Sequence, residues 1–354
     1  MYFTIEERIV NFKKYYSRKN SRALVGFFVG SEYPLERYPA SRKLPSGRPL
    51  KPEDFNCQDF LEDCDRLFQQ HEEIGGDFIW SASAFWGIPW IEAALGCEII
   101  SAPESGSIYS IAPANFAENP HIKEFDPDGP WIKKMVEFID VLALHSHGRY
   151  PLATTRMRGI ADLLAALYGN ELFLYKMMEK PSEVEKICEK LTDFWVKFGK
   201  IQLDHIPLFH GGVGSFYYNL WAPEGSVWHQ EDAAALLSPQ MYQKFILPCD
   251  RKIASSFNGC FMHMHPTGFY PYKELLKTQM TAIELHLDHA GPNCQALYPV
   301  YQEIQKQKPL LIWGEIEERD LEWIFENLSP QGLAINIMLK TKKEARDIWE
   351  KYII

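Results

Sequence analysis

Residues 260–292 read CFMHMHPTGFYPYKELLKTQMTAIELHLDHAGP, with the pattern of a strand, a loop, a short helix and a second strand. Side chains two apart in a strand share a face. Phe261, His263 and His265 therefore point one way, and Cys260, Met262 and Met264 the other. In the second strand Glu284, His286 and Asp288 share a face, while Ile283, Leu285 and Leu287 share the opposite one. Each strand sets an apolar face against a face of metal-binding or acid–base side chains. Unpaired buried polar groups cost about 1–3 kcal/mol each. The polar faces therefore read either as a site or as a hydrogen-bonded network between adjacent strands.

Working outward, strand-like segments alternate with helical ones. Strands are expected at Ala23–Gly30, Asp77–Ala82, the PLATTR run ending near Arg156, Ile206–His210, the two strands above, Pro309–Glu315 and Gly332–Met338. Between them, Thr4 with Glu7, Ser182 with Glu185, and Thr341 with Glu344 have the spacing of capping boxes. Ser238-Pro239 places a serine cap before a first-turn proline. Val184, Ile187, Leu191, Phe194, Phe198 and Ile201 recur at helical steps. Alternation of this kind predicts parallel strands joined by crossover helices. Eight units predict an α/β protein of the (β/α)8 TIM-barrel type, one domain over residues 1–354, with an N-terminal helix.

Two long insertions follow the first and second strands. SEYPLERYPASRKLPSGRPLKPEDF carries five prolines with Arg37, Arg42, Lys43, Arg48 and Lys51. At the C-terminal rim of a barrel it is either a lid for an anionic substrate or a proline-stiffened solvated loop. The second insertion holds Phe85, Trp86 and Trp90, a hairpin around Pro103–Gly106, and a helix over Trp131–His145.

Composition narrows the function. A formal net charge of -10 argues against a nucleic-acid surface. No stretch is apolar and long enough to span a bilayer, and the first twenty residues lack signal-peptide order. The seven cysteines are scattered and never spaced CxxC, which points to the cytoplasm rather than to a disulfide framework.

His263 and His265, with Glu284 or another carboxylate, have the residue types of a three-ligand metal site with an open position. Glu284, Asp288 and Glu315 are the candidate acid–base groups, Glu315 through an indole neighbour, Trp313, or else in a salt bridge to a rim arginine. Arg156 and Arg158 precede a helix start at Gly159, a combination that suits a carboxylate or phosphate, although Arg158 is equally placed to brace Asp162. Trp86, Tyr217, Trp221 and Trp313 are the candidate substrate platforms, and the His210–Gly214 glycines lie just ahead of Tyr217 and Trp221 in sequence. His145, His147 and Arg149 sit on the entry side of a strand and read as structural.

WIEAALGCEI, RMRGIADLLAALYG, LSPQMYQKFILPCDRKIASSFNGCFMHMH and LIWGEI, in that order, resemble the uroporphyrinogen decarboxylase superfamily. That resemblance also implies a (β/α)8 barrel. The arginine-rich element that true decarboxylases carry after the first strand is absent from FFVGSEYPLERYPASRK. The zinc-dependent methyltransferases of the superfamily, which move methyl groups between corrinoid proteins and thiols, are more similar at the His-x-Cys zinc motif. Here it reads His263-Met264-His265, and Asn336 lies where the family has a later cysteine. The resemblance therefore implies a metal-dependent, corrinoid-linked methyltransferase acting on a small molecule, with zinc as metal and a corrinoid carried by a partner protein. The alternatives are a metal-free decarboxylase-like lyase holding carboxylates on Arg156 and Arg158, a glycoside-processing barrel using Glu231 or Glu284 with Glu315, and a binding protein without chemistry.

Overall fold

The chain is described from a computed structural model that covers residues 3–353. Its strands are β1 (Leu24–Val29), β2 (Pro49–Leu50), β3 (Glu98–Ala102), β4 (Ser107–Ile111), β5 (Gly212–Gly214), β6 (Trp221–Pro223), β7 (Ser226–Gln230), β8 (Gly259–Met264), β9 (Ala282–Leu287), β10 (Leu310–Gly314) and β11 (Leu333–Leu339). Six of them form one sheet in the order β1-β11-β10-β9-β8-β7, and every pair is parallel. β2, from the first insertion, joins β3 and β4 of the second in a small antiparallel sheet, with the hairpin turn where the sequence places it. β5 and β6 pair antiparallel. Helices cover the outer face of the large sheet, so its strands are buried on both sides.

Local chemistry explains most helix starts. Thr4 with Glu7 and Thr341 with Glu344 form reciprocal capping boxes, and the Ser238 hydroxyl accepts from the Met241 N–H at 3.2 Å. The expected Ser182–Glu185 box does not form. The helix Pro181–His205 begins two residues earlier than that cap requires, with Lys180 as its cap, because a preceding helix (Asn170–Glu179) ends against it and Pro181 takes the first-turn position. The insertion helix spans Pro130–Ser146.

Three strand expectations are corrected. Residues 77–82 and 151–158 are extended but make only isolated bridges, Ala82 with Leu152 and Arg158 with Gln230. Their backbone groups bond to loops and side chains instead of a ladder. The Ile79 N–H donates to the Asn219 carbonyl at 2.9 Å, and the Thr155 N–H to the Gln202 side chain at 2.8 Å. The third correction is at Ile206–His210, which is loop; the parallel strand beside β8 is β7, twenty residues later. Hydrogen bonds nevertheless continue past both sheet edges. The Asp77 N–H donates to Val25 O at 2.9 Å, Ala153 N–H to Ala82 O at 2.8 Å, and Gly159 N–H to Gln230 O at 2.7 Å.

The interior layer depends on one missing side chain. A Cβ on Gly26 would lie 2.2 Å from the Phe78 ring, so only glycine lets that fully buried phenyl cross β1. At the N-terminal end of the sheet the first helix (Ile5–Tyr16) sets Tyr16 against Phe261, with ring centroids 5.7 Å apart, and its hydroxyl donates to Trp221 O at 2.7 Å.

His71, buried on the helix Leu61–Ile74, has its Nε2 3.0 Å from the Phe78 carbonyl. Burial pushes its pKa down to about 4. Unfolded, the imidazole takes its proton near pH 6.5, so between pH 6.5 and 4 the unfolded chain binds more protons and stability falls as the pH falls. The wild type is expected to lose about 2–3 kcal/mol more than His71→Gln between pH 7 and 4, a difference to be read by urea denaturation of both proteins.

Candidate active site

The site is built on the C-terminal ends of β8 and β9. Parallel register sets His263 beside Glu284, His286 beside Trp313, and Trp313 beside Asn336. His263 Nδ1 is bonded to the fully buried Glu284 carboxylate. His265, one residue past β8, donates from Nδ1 to Asp288 Oδ1 at 2.8 Å. The two Nε2 atoms then meet each other at 2.9 Å. With each Nδ1–H committed to a carboxylate, two lone pairs face one point, where a shared proton or a cation must sit.

The electrostatics agree with a site tuned to hold positive charge. Burial alone would push His263 down, but Glu284 outweighs it and the net pKa rises to about 9. Burial pushes Glu284 up against the opposing pull of His263. His286 is pushed down to about 3 by burial and by the two neighbouring histidines, and so stays neutral. Burial would raise Asp288, but the His265 bond holds it below its usual value.

Unpaired buried atoms gather here. Asp232 Oδ1, Glu284 Oε1, His286 Nδ1, Asp288 Oδ2, Trp313 Nε1 and Asn336 Oδ1 all lack a hydrogen-bond partner. His286 is 3.9 Å from each of Glu284 and Asp288, too far to bond to either. Such a concentration marks a place completed by something other than the chain. Asp232 Oδ1 lies 3.8 Å from His263 Nε2, and Asp232, His263 and His265 converge closely enough to share one ion. His263 with Glu284 and His286, and His265 with His286 and Asp288, are two further convergent sets.

Aromatic rings surround the cluster. Trp313 lies 4.7 Å from His286 and 4.6 Å from Tyr217, and Trp86 lies 5.2 Å from Tyr217. Tyr218 packs 5.9 Å from His263 and stacks on Trp228 at 4.1 Å. Tyr217 and Asn219 both adopt left-handed backbone, with φ of 65° and 58°, in a loop closed by the Ser215–Leu220 hydrogen bonds. Non-glycine residues in that region store strain, which the closed loop sustains.

Not every candidate joins the cluster. Trp221 is buried near the other end of the sheet, under Lys13 and Tyr16, with its Nε1–H on Phe209 O at 2.9 Å. Glu315 is exposed on the rim of a cavity of about 990 Å³ that it shares with Glu32, Asp288 and Arg319. β10 ends at Gly314, so the carboxylate does not continue the inward alternation toward the indole. Arg158 pairs with Glu92 at 2.9 Å and lies 3.7 Å from Asp162. The helix N-terminus after Gly159 is already filled by Glu231, which accepts from Ile160 and Ala161 N–H at 2.6 and 2.8 Å. That removes the expected anion site at Arg158, and it occupies the Glu231 carboxylate that a glycosidase would need. Arg156 makes no hydrogen bond or ion pair with any described residue, and its Nε is buried.

Asp232 and the gap around His286 were not singled out from the sequence. The His-x-His and Glu-x-His-x-Asp alternation flags His286, but Asp232 follows a strand, β7, that carries only a short alternating signal.

No family model matches the sequence, and no curated protein matches it. Among solved structures the chain is similar to a methyltransferase from Methanosarcina mazei, with a TM-score of 0.66 at 13% identity over 98% of this chain and 99% of that one. At that identity the likeness speaks for the fold.

Proposed function

We propose that this protein is a metal-dependent methyltransferase of the corrinoid-linked type, acting on a small molecule at the C-terminal mouth of a closed eight-segment barrel. The barrel reading rests on the hydrogen bonds that link residues 77–82 and 151–159 into both edges of the six-stranded sheet, and on the likeness to the Methanosarcina mazei methyltransferase along nearly the whole chain. The reading of the chemistry is carried by one observation: two imidazoles whose Nδ1 atoms are held by carboxylates while their Nε2 atoms converge, next to an unpaired carboxylate oxygen of Asp232.

The donors fit zinc, which accepts imidazole and carboxylate in place of thiolate. His263, His265 and Asp232 would hold the ion, and Glu284 and Asp288 would orient the two rings from behind. Bound there, the metal supplies Lewis acidity to a substrate heteroatom or lowers the pKa of a bound nucleophile. The chain's own groups do the rest. Glu284 keeps His263 in one orientation, His286 offers a neutral nitrogen beside the reacting position, and Trp313 and Tyr217 wall the mouth against water. A corrinoid protein docking over the rim would deliver or collect the methyl group.

No helix among the described residues is long and apolar enough to cross a membrane. All seven cysteines are unpaired and buried, which fits the reducing cytoplasm we propose as its location. Metal content of protein purified without chelator tests the reading. We expect one equivalent of zinc in the wild type, and loss of it in both His263→Ala and His265→Ala. A wild type devoid of metal after zinc reconstitution would remove the proposal.

A further inference from the structure

Of the three proposed ligands, Asp232 is the one the sheet positions least. His263 lies on β8 and His265 one residue past it, whereas Asp232 lies two residues past the end of β7, where it opens a short 3-10 turn, Asp232–Leu236. On its outer side β7 has no ladder, and the segment 151–158 meets it only at the Arg158–Gln230 bridge. The Asp232 side chain is 39% exposed, and its Oδ2 accepts from the Gln230 amide. Neither the ladder nor dense packing therefore sets where its free oxygen points.

Two buried carboxylates hold the chain on either flank of Asp232. Glu231, the residue before it, accepts from the Ile160 and Ala161 N–H groups at 2.6 and 2.8 Å, at the start of the helix Ile160–Tyr168. Asp162, in the first turn of that helix, accepts in return from the N–H of Ala233, the residue after, at 2.7 Å. The two helical starts cap one another, each taking up N–H groups that a first turn leaves free. A Cβ on Gly159 would lie 2.2 Å from the Glu231 carboxyl carbon, so the exchange requires glycine there. The Gly159 N–H closes the same junction on Gln230 O at 2.7 Å.

Capping alone does not call for this arrangement. A serine, threonine or asparagine satisfies a helix start without bringing charge inside. Here Glu231 and Asp162 are both buried, and Asp162 Oδ2 has no hydrogen-bond partner. Arg158, 3.7 Å from Asp162, is shared with Glu92. Burying two acids in one junction is costly. What the exchange supplies is geometry, because bonds before and after Asp232 run to one rigid helix and leave its backbone little freedom to turn the carboxylate away.

We infer that Glu231 and Asp162 are positioning residues for Asp232, fixing its unpaired Oδ1 3.8 Å in front of His263 Nε2. The inference rests on the proposed metal reading and adds to it two residues that act on the ion only through Asp232.

Zinc affinity is measured against a competing chelator on the full-length protein, beside urea denaturation of the metal-free form and hydrogen exchange of residues 228–236. In Asp162→Ala and in Glu231→Met the affinity is expected to fall by about tenfold or more. Exchange across Asp232 and Ala233 should quicken, with that of β8 unchanged. Asp162→Asn keeps an acceptor for the Ala233 N–H and should recover part of the affinity lost in Asp162→Ala. Glu231→Gln keeps one of two acceptors, so it stands in with an intermediate loss if neither truncated variant folds. Folded variants that bind zinc as tightly as the wild type, whatever stability they lose, would show that the two acids serve the fold alone and overturn the inference. A wild type that takes up no zinc removes the proposed reading itself, and this inference with it.

Discussion

Asp232→Asn is expected to leave the protein without stoichiometric zinc and without methyl transfer, whereas Glu284→Gln should weaken zinc binding by about 10–100-fold and leave the site fillable at high metal. The difference follows from which atom each carboxylate faces. Glu284 is bonded to His263 Nδ1, behind the ring. Asp232 presents an unpaired oxygen 3.8 Å from His263 Nε2, in front of it. A carboxylate behind the ring orients the ligand and raises its basicity; one in front donates directly. Zinc titration of both variants against a competing chelator separates the roles. The reverse order, zinc lost in Glu284→Gln and kept in Asp232→Asn, would make Glu284 the ligand and Asp232 a bystander.

Arg158→Met should destabilise the fold by about 3–5 kcal/mol, the usual penalty for removing one partner of a buried ion pair. Glu92 is fully buried, its Oε2 already lacks a partner, and Arg158 provides the carboxylate's only hydrogen bond among the described residues. Without the guanidinium that carboxylate must either stay charged in the interior or take up a proton. Adding Glu92→Gln to Arg158→Met should therefore recover a large part of the loss, and a double-mutant cycle by denaturant titration measures how much. A loss below about 1 kcal/mol in the single variant would show that the pair behaves as an exposed one.

The two-residue alternation of 260–265 and 283–288 is legible because period-two patterning is local. It assigns His263 and Glu284 to the polar faces of their strands and Met262, Ile283 and Leu285 to the apolar ones, and all of these are buried. The capping boxes at Thr4 and Thr341 are legible for the same reason. Ser182 shows where local rules lose, since the chain geometry of the preceding helix and Pro181 decides the start. The fourth strand was misplaced because β7 is five residues long and follows a turn at Glu224-Gly225, while the more strand-like Ile206–His210 spends its backbone on loop contacts. Trp221 looked like a platform because it follows the glycine cluster and two tyrosines, but β6 carries it to the end of the sheet closed by the first helix.

By itself, then, the sequence determined an α/β chain with parallel strands and a polar layer of histidines and carboxylates on two of them, because both are set by residue period and by the cost of burying unpaired polar groups. Tertiary structure alone decided which groups meet. Parallel register puts Gln230 beside His263, so Asp232 reaches a histidine 31 positions away, and chain packing gives Arg158 to Glu92 while leaving Arg156 unmatched. Such pairings depend on distances between segments far apart in the chain, and no local pattern carries that information.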